Sequence, residues 1–364
     1  MKRILSLSIL LALSLLPMSG QVTLNRAGEI WPDEAGQHIN AHGGGVLQVG
    51  DVYYWYGEAR PARGFTTKTG VKVYGSSDLV HWKDLGVALA VSHERGNDIE
   101  EGCIMERPKV VFCEKTRQYV MLFHLELKGR DYEAARVGVA VSDKPEGPFT
   151  FLRSLRPNKG IWPFGFTTED QKKAISVKDR CNDKDWWTEG WMKAVDEGCF
   201  VARDMETGQM SRDMTVYVDD DGKAYHIYSS EENLTLQIAE LTDDYLDYTG
   251  KYIRIAPGGH NEAPTIFKHQ GTYWLITSGC TGWEPNTARM FSSKSIWGPW
   301  SKEPCPFKGE GAENTFGSQG TYVLLVDDEY IFMADLWNPR NLQNSCYGWW
   351  KIDLSGGKPV IYNK

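Results

Sequence analysis

Five times along the chain a short run of β-branched and aromatic residues is entered from a turn: Gly50–Tyr56, Arg117–Phe123, Gly222–Tyr228, Gly271–Ile276 and Asp328–Met333. Such runs suit a pleated, half-buried surface. Each is followed by a second run of the same character: Val71–Ser77, Arg136–Ser142, Leu236–Leu241, Thr287–Ser293 and Gly348–Ile352. Turn-rich tails such as Asp78–Trp82 and Ile296–Trp300 then lead toward an outer strand. Three to four strands per unit, five units and no helical periodicity predict an all-β, five-bladed β-propeller. One such sheet cannot bury both its faces alone, whereas blades packed radially can.

The aligned tyrosines Tyr54, Tyr119, Tyr225, Tyr273 and Tyr330 are 65, 106, 48 and 57 residues apart. The long interval predicts an insertion of about 45 residues between blades two and three, placed at about 155–200. It carries Trp162, Trp186, Trp187, Trp191, Cys181 and Cys199. A segment this long at a propeller rim is usually functional or a separate cap. The remainder, 21–364, is expected to be one propeller domain, with no carbohydrate-binding module after blade five.

Residues 1–20 have the pattern of a secretory leader. Lys2 and Arg3 precede an apolar run from Ile4 to Leu16, and Pro17-Met18-Ser19-Gly20 offers small residues for cleavage. The run is too short to span a bilayer, and no cysteine precedes Cys103 to carry a lipid. The expectation is an exported protein, periplasmic or extracellular, and monomeric. The net charge of −8 becomes −10 without Lys2 and Arg3, which disfavours nucleic acid and anionic membranes as partners. Seven cysteines show no zinc-type spacing; Cys181 and Cys199 are expected to pair in an oxidising compartment. Of the 14 Trp and 17 Tyr, most are expected to pack strands, with a minority forming platforms for sugar rings.

In a propeller the first strand of every blade lines the central channel, so the heads of five strands converge. Those heads read Asn40-Ala41-His42-Gly43-Gly44-Gly45, Met105-Glu106-Arg107-Pro108-Lys109, Ser211-Arg212-Asp213-Met214, Asn261-Glu262-Ala263-Pro264 and Gly317-Ser318-Gln319-Gly320-Thr321. Three carboxylates, a histidine and a glutamine would face one another. Clustered carboxylates in a partly dry funnel cannot all ionise freely, so their pKa values spread. That arrangement suits glycoside hydrolysis, which needs one protonated carboxyl and another group to activate water. A lone strand-end carboxylate is more often paired with a neighbouring Arg or Lys; recurrence at one position in several repeats favours function for Glu262 and Glu106. Asp213 could instead serve only to hold Arg212. His42 could be a substrate ligand, a buried structural imidazole or an ion ligand on the axis.

At these residues the chain resembles the family 43 glycoside hydrolases, in particular the branch of exo-β-1,3-galactanases. The resemblance rests on Ile39–Gly45 with Tyr53–Glu58, Glu106-Arg107-Pro108-Lys109-Val110, Ser211–Met214 with Val218–Gly222, Glu262-Ala263-Pro264, Ser278–Trp283 and Ser318-Gln319. It implies Glu262 as general acid, Glu106 as the residue that tunes its pKa and position, and Gln319 as an unconventional base in an imidic acid form. It also implies a pocket that takes sugar through Asn40, His42, Glu58, Arg107, Asp213, Trp283, Asp335 and Trp337. The expected activity is inverting release of galactose from β-1,3-galactan, the backbone of plant-type arabinogalactan. No cofactor is expected to be required, with a structural calcium ion on the axis left open. The first inner strand lacks the aspartate base usual in the wider family, and Leu336 stands where relatives commonly carry arginine. An α-L-arabinofuranosidase or β-galactofuranosidase on the same fold is the nearest alternative, and a non-catalytic glycan-binding propeller the alternative of another class. Glu313, six residues before Gln319, is a further candidate base.

Overall fold

Residues 22–363 are described in the computed structural model; the leader expected at 1–20 lies outside them. Blade one contains β1 (His42–Val49), β2 (Val52–Glu58), β3 (Gly70–Ser76) and β4 (Lys83–Ala90). Blade two contains β5 (Ile104–Cys113), β6 (Gln118–Glu126), β7 (Arg136–Ser142) and β8 (Thr150–Leu155). Three short helices follow, α1 (Thr168–Ser176), α2 (Glu189–Asp196) and α3 (Cys199–Arg203). Blade three is β9 (Met214–Val218), β10 (Ala224–Ser230), β11 (Thr235–Leu241) and β12 (Tyr248–Ile255). Blade four is β13 (Asn261–His269), β14 (Thr272–Gly279), β15 (Arg289–Ser293) and β16 (Ser301–Glu303). Blade five takes β17 (Phe307–Lys308), β18 (Gln319–Val326), β19 (Glu329–Leu336), β20 (Cys346–Asp353) and β21 (Val360–Tyr362), with β17 parallel to β21. In blades one to four, and from β18 to β21 in blade five, the strands are ordered from the inside outward in chain order and antiparallel to their neighbours, while β17 lies outermost in blade five. The inner strands β1, β5, β9, β13 and β18 each pack on the next, and β18 on β1 closes the ring.

The core is five apolar layers, one between each pair of adjacent blades. Tyr56, Val71 and Val73 meet Val110, Met121 and Phe123 between blades one and two. Val111 and Val120 meet Met214, Val216 and Tyr252 between blades two and three. Side chains alternate across a strand, so neighbouring residues serve opposite layers: Val110 and Val111, Ile266 and Phe267, Val323 and Leu324 are split this way. This explains why the inner strands read as nearly continuous apolar runs. The last layer joins blade five to blade one through Trp55, Trp82, Leu324 and Trp349, and Trp31 of the N-terminal segment is inserted there.

The insertion forms helices, not the loop that the absence of helical periodicity suggested. Thr167 and Asp170 cap α1 reciprocally, and Thr188 caps α2. The apolar face needed for burial is short: Trp191, Ala194, Val195, Cys199 and Phe200 close a small core with Leu234 of blade three. Two or three apolar positions per helix leave little period to read. Arg254 of β12 bolts this cap down, donating to the carbonyls of Val195 (2.6 Å) and Asp196 (2.9 Å) and pairing with buried Glu231 (2.7 Å). The bridge expected between Cys181 and Cys199 is absent: both are buried free thiols in hydrogen-bond contact. That hydrogen bond with Cys199, and then burial, push the Cys181 thiol far up. Among the described residues no helix is long and apolar enough to cross a membrane.

Candidate active site

The inner strands do not run straight to the channel mouth. Pairing with the second strand slips between His42 and Gly45, between Glu106 and Lys109, and between Glu262 and Thr265. In each slip the residue after the site residue takes a left-handed backbone: Gly43 (φ 61°), Arg107 (φ 55°) and Ala263 (φ 51°). A bulge of this kind re-aims a side chain at a strand end, and non-glycine residues held there store strain. At Gly43 a side chain is excluded as well, because a Cβ would lie 2.4 Å from the Glu58 carboxylate. Gly44 allows the backbone to approach Tyr56 closely, since a Cβ would sit 1.7 Å from its carbonyl oxygen.

The bulges at Glu106 and Glu262 aim their side chains into a cavity of ≈ 490 Å³ lined by Arg60, Glu106, Arg107, Asp213, Glu262 and Gln319. Trp283 and Trp337 form one wall, edge to face at 5.3 Å, with the Arg60 guanidinium over both rings. Of the residues expected at the site, Glu262, Glu106, Gln319, Arg107, Asp213, Trp283 and Trp337 all face this cavity. Asn40, His42, Glu58 and Asp335 do not line it. Asn40 clasps the backbone of Arg60, accepting from its N–H and donating to its carbonyl, both at 2.9 Å. His42 is fully buried, stacked on Tyr347 and 3.5 Å from Asp335, which also accepts the Gly43 N–H at 2.6 Å. Glu58 backs Arg60 at 2.8 Å. These four lie behind the wall and hold it. Glu313 is likewise outside the lining.

Glu262 has the properties of an acid. Burial, then the negative charge of Asp213, push its pKa up to about 8 against the pull of Arg107. Its oxygens accept long contacts from Gln319 Nε2 at 3.2 Å and Asn233 Nδ2 at 3.4 Å, and a hydrogen bond from the Cys280 thiol. It is therefore a carboxylic acid at neutral pH. Glu106 is its opposite. Burial would raise it, but Arg60 (2.8 Å), His124 (3.0 Å) and the Tyr132 hydroxyl (2.8 Å) hold it well below the usual carboxylate range. His124, wedged between Glu106 and Glu126, overcomes its own burial and is pushed up to about 9. Asp213 does not pair with Arg212, which reaches Glu232 instead; it pairs with Arg107 at 2.9 Å and accepts the Ala263 N–H at 3.0 Å. It thus abuts the acid's own strand, and its charge acts on Glu262 more strongly than that of Glu106.

Gln319, at the head of β18, lies beside Glu262. Its amide orientation follows from its partners. Arg107 (2.6 Å) and Trp337 (2.9 Å) can only donate, so the amide oxygen faces them and Nε2 donates to Glu262 and Ser278. An imidic acid form would put a hydroxyl hydrogen on an oxygen that already receives two donors. The sequence reading missed Arg60, His124, Tyr132, Asn233, His260 and Cys280 as site residues. They come from second strands and loops, where no repeat position marks them.

A calcium ion needs six to eight oxygen ligands. The buried Lys109 side-chain nitrogen already donates to the carbonyls of Gly43 (2.8 Å) and Arg107 (3.3 Å). Ligand atoms of Glu106, His124 and Asp213 lie within 4.8 Å of one another, yet each already faces an arginine or a carboxylate partner. Neither donor set fits a divalent cation.

A family model of the family 43 glycosyl hydrolases matches residues 179–333. A solved family 43 β-1,3-galactosidase, in complex with galactodeoxynojirimycin, is 55% identical over 93% of this chain and 98% of its own, with a TM-score of 0.90. The exo-β-1,3-galactanase of Phanerochaete chrysosporium, solved with β-1,3-galactotriose, is 32% identical over 93% of this chain and 66% of its own (TM-score 0.74). A β-D-galactofuranosidase of Aspergillus niger is 28% identical over 99 residues, 27% of this chain and 28% of that protein. The chain belongs to glycoside hydrolase family 43. Within that family its similarity is to β-1,3-galactosidases and exo-β-1,3-galactanases.

Proposed function

We propose that the protein is an exported, monomeric, inverting exo-glycosidase that releases galactose from β-1,3-galactan of the plant arabinogalactan type, without a metal. The observation that carries this reading is Glu262, a carboxyl kept protonated at neutral pH at the head of β13, facing a cavity walled by two tryptophans. The galactose and β-1,3 specificities are supported by the relatives' activities.

Glu262 donates its proton to the glycosidic oxygen as the bond to the sugar breaks. The hydrogen bond between Gln319 and Glu262 spans the slot that the scissile bond has to enter. Gln319 cannot yield, since its oxygen is tied to Arg107 and Trp337. Glu262, held by two long contacts and the weak donor of the Cys280 thiol, turns away and opens the separation of about 6.5–9.5 Å that an inverting route needs. The freed Nε2–H of Gln319 then holds and orients the attacking water; as that water adds to the anomeric carbon its proton passes to solvent water in the open cavity, while the proton of Glu262 leaves on the departing sugar oxygen. Incubation with aryl β-galactosides, aryl α-L-arabinofuranosides and β-1,3-galacto-oligosaccharides tests the assignment. Galactose released chiefly from the oligosaccharides is expected; arabinose release, or inertness toward all three, rejects it.

A further inference from the structure

Trp187 stands in the insertion immediately before the Thr188 cap of α2, with a left-handed backbone (φ 73°) and 51% of its surface exposed. That conformation is an outlier for a bulky residue, and half exposure offsets little of its cost. Its neighbour Trp186 is 36% exposed and stacks on the fully buried Trp191 at 4.8 Å. Trp187 itself lies 5.8 Å from Trp191 and 5.1 Å from the ring of His260, a residue of the cavity lining. The insertion therefore brings a buttressed aromatic face to the rim of the catalytic cavity. Arg254 holds that face to blade three through Val195 and Asp196, and Arg203 holds it through Glu232 (2.9 Å).

The face lies on a defined side. His260 is two residues before the acid, and Asn233 donates to the acid carboxyl while its own Oδ1, buried, has no hydrogen-bond partner. Glu232 and Asn233 also take left-handed backbones (φ 58° and 65°), as does His260 (φ 54°). A general acid sits within hydrogen-bond reach of the oxygen it protonates, so the wall beside it is where the leaving group lies. Burial and then Arg289 push the His260 imidazole down, so its ring is neutral and suited to an apolar contact.

We propose that Trp187, backed by His260, is a stacking surface for the leaving-group sugar, the galactan residue next to the one released. Aromatic rings present flat apolar area that fits the C–H face of a pyranose. This inference rests on the galactanase reading above.

The test compares wild type, Trp187→Ala and Trp187→Phe on β-1,3-galactobiose and β-1,3-galactotriose, with galactose as a competitive inhibitor that fills only the released-sugar site. Trp187→Ala should raise KM for both oligosaccharides by about two- to tenfold, Trp187→Phe should restore most of it, and the galactose inhibition constant should not move. In a Glu262→Gln background, galactobiose should change tryptophan emission, and Trp187→Phe should remove most of that change. Unchanged KM, or KM and galactose inhibition weakened equally, overturns the inference. Wild-type enzyme that leaves galactobiose intact refutes the activity as well; a hydrolysing wild type with an indifferent Trp187→Ala refutes the subsite alone.

Discussion

Asp213→Asn removes the charge that, after burial, does most to keep Glu262 protonated. In the wild type the Glu262 proton is lost around pH 8, which places the alkaline limb of kcat/KM there. A unit charge at about 4–6 Å with an effective dielectric near 20 is worth about 3–4 kcal/mol, or roughly 2–3 pKa units at 1.36 kcal/mol each. Glu262 also stands to gain attraction from Arg107, which the substitution leaves without its carboxylate partner. Both changes favour the carboxylate and so lower the pKa. Burial is the same in both enzymes and cancels from the difference, so a net downward displacement of about 2–3 units is expected. The assay is a pH profile of kcat/KM on β-1,3-galactobiose for both enzymes. Near pH 5 the variant should approach its plateau, while at pH 8 it should be nearly inactive. Glu106→Gln removes a charge that acts on Glu262 less strongly than that of Asp213 and should displace the limb less. An alkaline limb that stays in place in Asp213→Asn, or moves upward, refutes the electrostatic account of the acid.

Other outcomes follow from the same geometry. Glu262→Gln should lower kcat on natural glycans by about 10²–10⁴ with unchanged thermal unfolding; activity within a few-fold of wild type removes it as the acid. Gln319→Ala should lower kcat much more than it raises KM, with partial recovery in azide; a raised KM with near-normal kcat would make Gln319 a sugar ligand only. Folded pKa values raised to about 9 for His124 and about 8 for Glu58 favour their protonated forms. Their contribution to stability is complete below the unfolded values and fades as pH rises through about 8–9. Thermal unfolding temperature should accordingly fall between pH 7 and pH 9.5, and a flat profile counts against these shifts. Gly43→Ala should destabilise by more than about 1–2 kcal/mol, because the left-handed backbone and the Glu58 oxygen leave no room for a Cβ; chemical denaturation measures it.

The five-bladed ring and the place of the acid were legible in the sequence for a local reason. Strand pairing within a blade joins chain neighbours, so alternation and turns reveal it, and Arg136–Ser142 matches β7 to the residue. Repetition then placed Glu106, Asp213, Glu262 and Gln319 at equivalent strand heads without any knowledge of contacts. Tertiary structure decided what those residues are. Asp213 could equally have held Arg212 by its sequence neighbourhood, but blade packing brings Arg107 to it. Asn40, His42, Glu58 and Asp335 occupy similar strand ends, yet bulges and close glycine contacts turn them behind the wall. The insertion announced itself only by its length and its tryptophans. Its helices depend on burying Trp191, Phe200 and Leu234 against blade three, and its reach to His260 follows from that packing. Charge, protonation and the side of the pocket a residue faces are set by neighbours far away in the chain, which no local pattern encodes.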